Sequence, residues 1–287
     1  MSQDLSTLLD ERRQYFDDMM AHYFSGLDLV SYPAVLELRQ SMEYSATKGG
    51  KRFRPVLCYL IAEAFGVHPQ KVTPFACAVE MIHTYSLIHD DLPCMDNDDV
   101  RRGEPTNHKV YGEAVALLAG DALLTEAFYL LSVAFPEEPK TSVHLIRLLS
   151  EAAGIRGMVG GQAIDMKAQD AHPGIEELTS MHEMKTGALI RVCAEGSAVA
   201  CGLPEKQIQL CHQFGAHLGL AFQLKDDLLD SSEGELEPGS YPAVLGLEKT
   251  KQFLDQTTDK ALAELRQLGI FEGPLVQLVE YNRTRMK

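Results

Sequence analysis

Basic residues are in short supply. Lys and Arg together number 26 against 41 Asp and Glu in 287 residues, a formal charge of −15. No segment carries a basic stripe, which excludes nucleic acid as a partner, because a phosphate backbone is bound through clustered cations. An anionic small substrate is not excluded, provided metal ions stand between carboxylates and phosphates. The six cysteines, Cys58, Cys77, Cys94, Cys193, Cys201 and Cys211, lack any CxxC spacing and mostly sit among apolar residues. They read as reduced core thiols, with a disulfide pair or a zinc site as the less favoured alternatives. The stretch Met1–Arg13 carries acids and no apolar core, so no signal peptide is expected and the chain reads as cytoplasmic. No run approaches the roughly 18 apolar residues of a membrane span. Strand-like alternation is scarce, and no Pro-, Gly- or Ser-rich linker divides the chain.

What is there instead is helical periodicity over a 45% hydrophobic composition. Leu5, Leu8, Leu9, Phe16, Met19, Met20 and Tyr23 mark one face of a first helix. Ser31 and Pro33 suit the start of a second, which runs to Gly49-Gly50. Further helices are expected over Pro55–Phe65, Thr73–Asp91, Gly112–Phe135, Thr141–Val159, Ile175–Gly202 and Pro204–Asp230, with two more after Pro242. Thr73–Asp91 is apolar on most sides, as befits the centre of a bundle. The expectation is an all-α protein, one domain over residues 1–287, with roughly ten helices.

Two acidic clusters interrupt this apolar background. Five aspartates fall in the ten residues Asp90–Asp99, directly after the most apolar helix, and Pro93 would end or kink that helix so that Asp96 folds back toward Asp90. In Asp226-Asp227-Leu228-Leu229-Asp230, the first and last aspartates are at i and i+4 and so share a helix face. A charge run is ordinarily a solvated face. Two such runs embedded in apolar helix ask for a cation, and hard carboxylate oxygens suit Mg²⁺ with open positions for phosphate. Cations stand where an anion would need them: Lys51, Arg52 and Arg54 after Gly49-Gly50, the pair Arg101-Arg102, and Lys185 in Lys185-Thr186-Gly187. That last triplet reads equally as a plain helix irregularity.

The stretch Tyr85-Ser86-Leu87-Ile88-His89-Asp90-Asp91-Leu92-Pro93, through Arg101-Arg102-Gly103, resembles the first aspartate-rich motif of the trans-isoprenyl diphosphate synthases, in particular the bacterial farnesyl diphosphate synthases. Gly49 to Pro55, Gly160-Gly161-Gln162 with Asp165, Lys185-Thr186-Gly187, and Phe222 to Asp230 resemble that family's other motifs, in its order, from near Leu5 to near Leu265. The resemblance implies a helical bundle around a central cavity in which the aspartate clusters face each other and bind three Mg²⁺ ions, with Mn²⁺ as the alternative metal. Asp90 and Asp96 would hold two ions with Asp91 in support, and Asp226 the third with Asp230 behind it. Arg101, Lys185 and Gln223 would contact an allylic diphosphate. Gly50, Lys51, Arg54, His83 and Arg102 would seat isopentenyl diphosphate, although His83 also reads as a satisfied core histidine. Carbonyls near Lys185 and Thr186 would face the carbocation. Tyr85 and Ser86 lie one turn before Asp90, where an aromatic side chain stops growth at fifteen carbons, the other reading being a packed tyrosine. The implied product is farnesyl diphosphate, and the implied assembly a homodimer.

One stretch departs from the family pattern. The lid loop at residues 231–240 is short, carries three Glu and has no Lys, where the family has lysines that close over the diphosphate. Geranyl or geranylgeranyl diphosphate synthesis, terpene cyclisation, and a non-catalytic partner subunit are the competing readings. The cations Lys51, Arg54 and Arg102 speak for elongation over cyclisation.

Overall fold

The computed structural model describes residues 4–168, 174–231 and 239–286, and these are helical almost throughout. In chain order the helices are α1 (Leu5–Ser25), α2 (Pro33–Thr47), α3 (Phe53–Ala64), α4 (Thr73–Asp90), α5 (Asn107–Tyr111), α6 (Glu113–Ala134), α7 (Pro139–Ala153), α8 (Met158–Ala168), α9 (Ile175–His182), α10 (Ala188–Ala200), α11 (Glu205–Asp230), α12 (Tyr241–Leu245), α13 (Leu247–Gln267) and α14 (Pro274–Thr284). Among the described residues the strands are two short pieces, β1 (Val100–Arg101) and β2 (Glu104–Pro105), paired antiparallel with Arg101 opposite Glu104. The all-α expectation holds. The helices outnumber the roughly ten expected because some long periodic runs are broken. Thr141–Val159 is two helices, α7 and α8, parted around Gly154 and Gly157. Ile175–Gly202 carries a π-helical turn, Glu183–Gly187, between α9 and α10.

The chain forms two compact units, residues 1–59 with 72–143 and residues 60–71 with 144–287. Of the three divisions, one lies within α3, one within α7, and the third, at 71/72, in the short connection before α4.

In the first unit α4 is the core. Phe75, Ala76, Cys77, Ala78, Val79, Met81 and Ile82 are all buried, each large side chain contributing about 1.5–3 kcal/mol. Pro74 sits in the first turn, where its missing N–H is no loss. α6 packs along α4 through Ala116, Ala119, Gly120, Leu123, Ala127 and Leu131, and the small residues let the two backbones approach closely. By length and composition α6 is apolar enough to cross a membrane, with a third of its most apolar window buried. Its outward side exposes Leu117, Leu118, Tyr129 and Val133.

In the second unit α11 is the axis, packed by α10 and α13. Leu178, Met181, Ala221, Leu224, Tyr241 and Leu254 form one buried cluster contributed by α9, α11, α12 and α13. The apolar positions of α11 recur at three and four residues (Ile208, Cys211, Gly215, Leu218), which turns one stripe inward, and Asp226 continues that stripe toward the end of the helix, with Asp230 one turn on. No disulfide joins the six cysteines, all buried except half-buried Cys201 and exposed Cys94.

Candidate active site

In the first unit the apolar helix α4 ends on Asp90. Beyond it Pro93 cannot continue the hydrogen-bond ladder, and the chain doubles back until the Asp96 N–H donates to the Asp90 carbonyl at 2.8 Å. The two aspartates therefore stand at the mouth of one tight turn. Asp91 points elsewhere: it is buried, and its Oδ1 accepts from Arg101 Nε at 2.6 Å. Burial raises the Asp91 pKa, with Arg101 opposing. Arg101 also reaches Asp98 at 3.2 Å, so the β1–β2 hairpin is clamped to the aspartate turn. His89 Nε2 lies 3.0 Å from the Leu117 carbonyl of α6, and its ring meets Tyr85 edge-on at 5.7 Å.

Arg102 occupies the hairpin turn at φ 56 and donates from Nη1 to the Gly49 carbonyl at 2.9 Å. Gly50, at φ 113, lies under that guanidinium, and a Cβ there would come within 2.5 Å of it. The positive φ favours glycine there, and any larger residue would also displace the Arg102 guanidinium. His83 is the centre of this group. Burial and the charges of Arg54, Arg102, Arg52 and Arg101 hold its imidazole well below the usual value, so it is neutral at physiological pH. Arg52 is spent on Asp17 and Glu80, and Arg101 is tied to the aspartate turn, so Arg54 and Arg102 are the guanidinium groups of this cluster suited to phosphate oxygens. Lys51 is exposed beside it, its carbonyl accepting from Arg13 Nε at 3.0 Å. Tyr85 is buried, and burial with the Asp90 charge pushes its phenol up to about 12. The Ser86 hydroxyl is spent on the His83 carbonyl at 2.9 Å.

In the second unit the π-helical turn carries Lys185 and Thr186. Such one-residue expansions of a helix turn side chains and carbonyls out of register and often mark functional sites. Lys185 Nζ donates to Asp165 Oδ2 of α8. Gly161 lies against the same turn, where a Cβ would be 2.3 Å from the Lys185 nitrogen. On α11, Gln223 Nε2 donates to Asp227 Oδ1 at 2.8 Å, and the Tyr241 N–H donates to Asp227 Oδ2 at 2.8 Å. Buried Asp227 is thus a structural acceptor, its pKa raised by burial against these hydrogen bonds. His182, stacked on Tyr241 at 5.3 Å, is 4.0 Å from Asp227 and held below its usual pKa by burial.

Asp226 has a partner that sequence reasoning missed. Arg285, buried just beyond α14, donates to Asp226 Oδ1, lies 4.7 Å over the Phe222 ring, and donates from Nε to Asn282 Oδ1 at 3.0 Å. Fifty-nine residues separate the pair, so no local spacing could announce it. Arg285 also lowers the Lys225 pKa, after burial. Asp230 is exposed at the end of α11. The lid positions 232–238 lie outside the described residues.

Among the described residues no three His, Cys, Asp or Glu side chains close on one point as a protein-only metal cage would require. The donor set still fits Mg²⁺, which takes one or two carboxylates and fills its remaining positions with water and substrate phosphate. Asp90 with Asp96, and Asp226 with Asp230, are the carboxylates suited to that role.

A family model described as polyprenyl synthetase matches residues 35–239. Farnesyl diphosphate synthase of Bacillus subtilis is 40% identical over 294 residues, covering 98% of each chain. A heterodimeric geranylgeranyl pyrophosphate synthase large subunit of Arabidopsis thaliana is 42% identical over 267 residues, covering 86% of this chain and 71% of its own. The crystal structure of an FPP/GFPP synthase from Zymomonas mobilis superposes with a TM-score of 0.89 at 36% identity, covering 97% and 98% of the two chains. The chain belongs to the polyprenyl synthetase family.

Proposed function

We propose that this protein is a Mg²⁺-dependent head-to-tail prenyltransferase that joins isopentenyl diphosphate to dimethylallyl and then geranyl diphosphate, releasing farnesyl diphosphate and diphosphate. The observation that carries the reading is the placing of Arg54 and Arg102 by a neutral His83, with Arg102 Nη1 bonded to the Gly49 carbonyl at 2.9 Å, in the same unit as the aspartate turn. A cyclase needs a metal-bound diphosphate but no second, purely cationic anion seat. An elongase needs both.

Mg²⁺ held at Asp90 and Asp96, and at Asp226 with Asp230, would supply electrophilic stabilisation of the departing diphosphate. The protein side chains do the rest. Arg101 in the first unit, and Lys185 with Gln223 in the second, are groups suited to hold a diphosphate where negative charge grows as the C1–O bond breaks. Carbonyls of the Lys185–Thr186 turn face the resulting allylic cation. The arginine seat with Gly50, Lys51 and His83 fixes isopentenyl diphosphate so that its double bond attacks that cation. The proton lost in forming the new double bond passes to the departing diphosphate, so no covalent enzyme nucleophile is needed. Tyr85, packed and buried one turn before Asp90, is the wall that stops the chain at fifteen carbons.

Labelled isopentenyl diphosphate with geranyl diphosphate and Mg²⁺ is the test. An extractable fifteen-carbon product that disappears with EDTA supports the reading, and a folded protein without turnover defeats it. A twenty-carbon product is the second reading, favoured by the identity to the Arabidopsis protein and opposed by Tyr85. The assembly is a homodimer through α6, whose Leu118, Tyr129 and Val133 expose one apolar row at three- and four-turn spacing. Light scattering on Leu118→Glu, expected to shift dimer to monomer, checks it.

A further inference from the structure

Between Lys51 and Arg54 stands a third cation that the diphosphate-binding roles leave unused. The Arg52 side chain is 1% exposed and makes three directed bonds: Nε to Asp17 Oδ1 of α1 at 2.8 Å, Nη1 to Glu80 Oε1 of α4 at 2.9 Å, and Nη2 to the Ala46 carbonyl of α2 at 2.9 Å. The Phe16 ring of α1 lies 5.5 Å from the guanidinium carbon. Glu80 is itself 2% exposed, and burial holds the Asp17 carboxyl above its usual value even with the arginine beside it. The backbone at Arg52 has φ 47, in the left-handed region that a side chain other than glycine adopts only when its surroundings impose it. Gly49 at φ 64 and Gly50 at φ 113 precede it, so three of the four residues from Gly49 to Arg52 are left-handed just before α3 begins.

We propose that Arg52 is a positioning residue for the isopentenyl diphosphate seat. Its anchorage to α1, α2 and α4 drives its own side chain inward and fixes the loop backbone in the left-handed turn. That turn sets Lys51 on the exposed side and starts α3 so that Arg54 stands beside His83. A buried ion pair is a poor device for stability alone, because desolvation offsets much of its attraction. What it does well is select one conformation among several. Here the conformation selected is the one that presents the flanking cations. The identity of the ligand rests on the prenyl-transfer reading, whereas the positioning role does not.

The experiment uses the full chain with Arg52→Lys, Asp17→Asn and the double variant Arg52→Met with Glu80→Gln, which removes both members of the fully buried pair and leaves the partly exposed Asp17 to solvent. Lysine keeps the charge but cannot span three acceptors with a planar fork. KM for isopentenyl diphosphate is expected to rise about tenfold in Arg52→Lys and in the double variant, and about threefold in Asp17→Asn, with KM for geranyl diphosphate unchanged. Calorimetric titration of inorganic pyrophosphate in EDTA, where the carboxylate sites have no metal to bind it, is expected to show the same weakening. Thermal melting controls for folding. An unaltered isopentenyl diphosphate KM in a folded Arg52→Lys overturns the proposal, as does an equal rise in both KM values accompanied by a lowered melting point. Should Arg52→Lys fail to fold, Asp17→Asn decides, its carboxylate being 34% exposed. If wild type shows no turnover, the prenyl-transfer reading fails by itself, and the pyrophosphate titration still decides for Arg52. Equal affinities overturn the positioning role and weaker binding in the variant supports it.

Discussion

Asp226 and Asp227 are neighbours in sequence with opposite surroundings. The carboxylate of Asp227 is buried and accepts from Gln223 and the Tyr241 N–H, whereas that of Asp226 is partly exposed and shares one oxygen with Arg285. Their substitutions should part accordingly. Asp226→Asn should lower kcat at least ~10²-fold, the size of loss when a group stabilising the leaving charge is removed, and should also lower stability, because buried Arg285 loses its counter-charge. Asp227→Asn should cost about 1–3 kcal/mol of stability, because its amide cannot accept at both oxygens from the donors buried around it. Kinetics with Mg²⁺ and denaturant midpoints on both variants separate the two roles. Tyr85→Ala opens the floor beside Asp90 and should lengthen the product beyond fifteen carbons. Thin-layer or mass analysis of the extracted products checks this, and an unchanged distribution rules out the gate. The acidic positions were legible because carboxylates inside apolar helix are anomalous. The partners Arg285 and Asn282 were not, since an ion pair across 59 residues leaves no periodic trace.

At the scale of elements, the helices were read correctly wherever apolar residues recur every three or four positions. Breaks inside a continuous pattern were harder to see. Gly154 and Gly157 split the run over Thr141–Val159 without changing its hydropathy, and only the hydrogen-bond ladder reveals the stop. The glycine in Lys185-Thr186-Gly187 signalled an irregularity, which proves to be an expanded π-helical turn within a continuous helical run. That turn is braced by α8 through Gly161, whose added Cβ would meet the Lys185 backbone at 2.3 Å. Backbone cannot swing aside as a side-chain tip can. Gly161→Ala should therefore cost about 1–3 kcal/mol from overpacking. It should also reduce kcat/KM for the allylic substrate by ~10-fold or more as Lys185 is displaced. Steady-state kinetics and thermal melting measure the two effects together.

At the scale of the whole molecule, no sequence mark announces the two compact units, because two of the three divisions fall inside helices and the third in a connection of a residue or two before α4. The composition did foretell an acidic protein. His83 and His182, one in each unit, are both held neutral by burial. In the unfolded chain each binds a proton near pH ~6.5, so just below that value the unfolded state carries more protons than the folded one. Stability should consequently fall as the pH drops from about 7 to about 6, by up to ~1.4 kcal/mol per pH unit for each histidine. The raised carboxyls Asp17, Asp91 and Asp227 act in the opposite sense as they protonate, in a window that starts from their lower ordinary value. Urea midpoints across that interval, repeated with His83→Gln, measure the slope. A flat profile would disprove the assignment.

The guanidinium on Asp226 has a consequence for handling the protein. Aspartates one turn apart on α11 would repel each other if left without a counter-ion, and Arg285 is a counter-ion built into the chain itself. A chelator can therefore strip divalent ions from solution without leaving that end of α11 to unravel under its own like charges, and catalysis and integrity become separable properties on the bench.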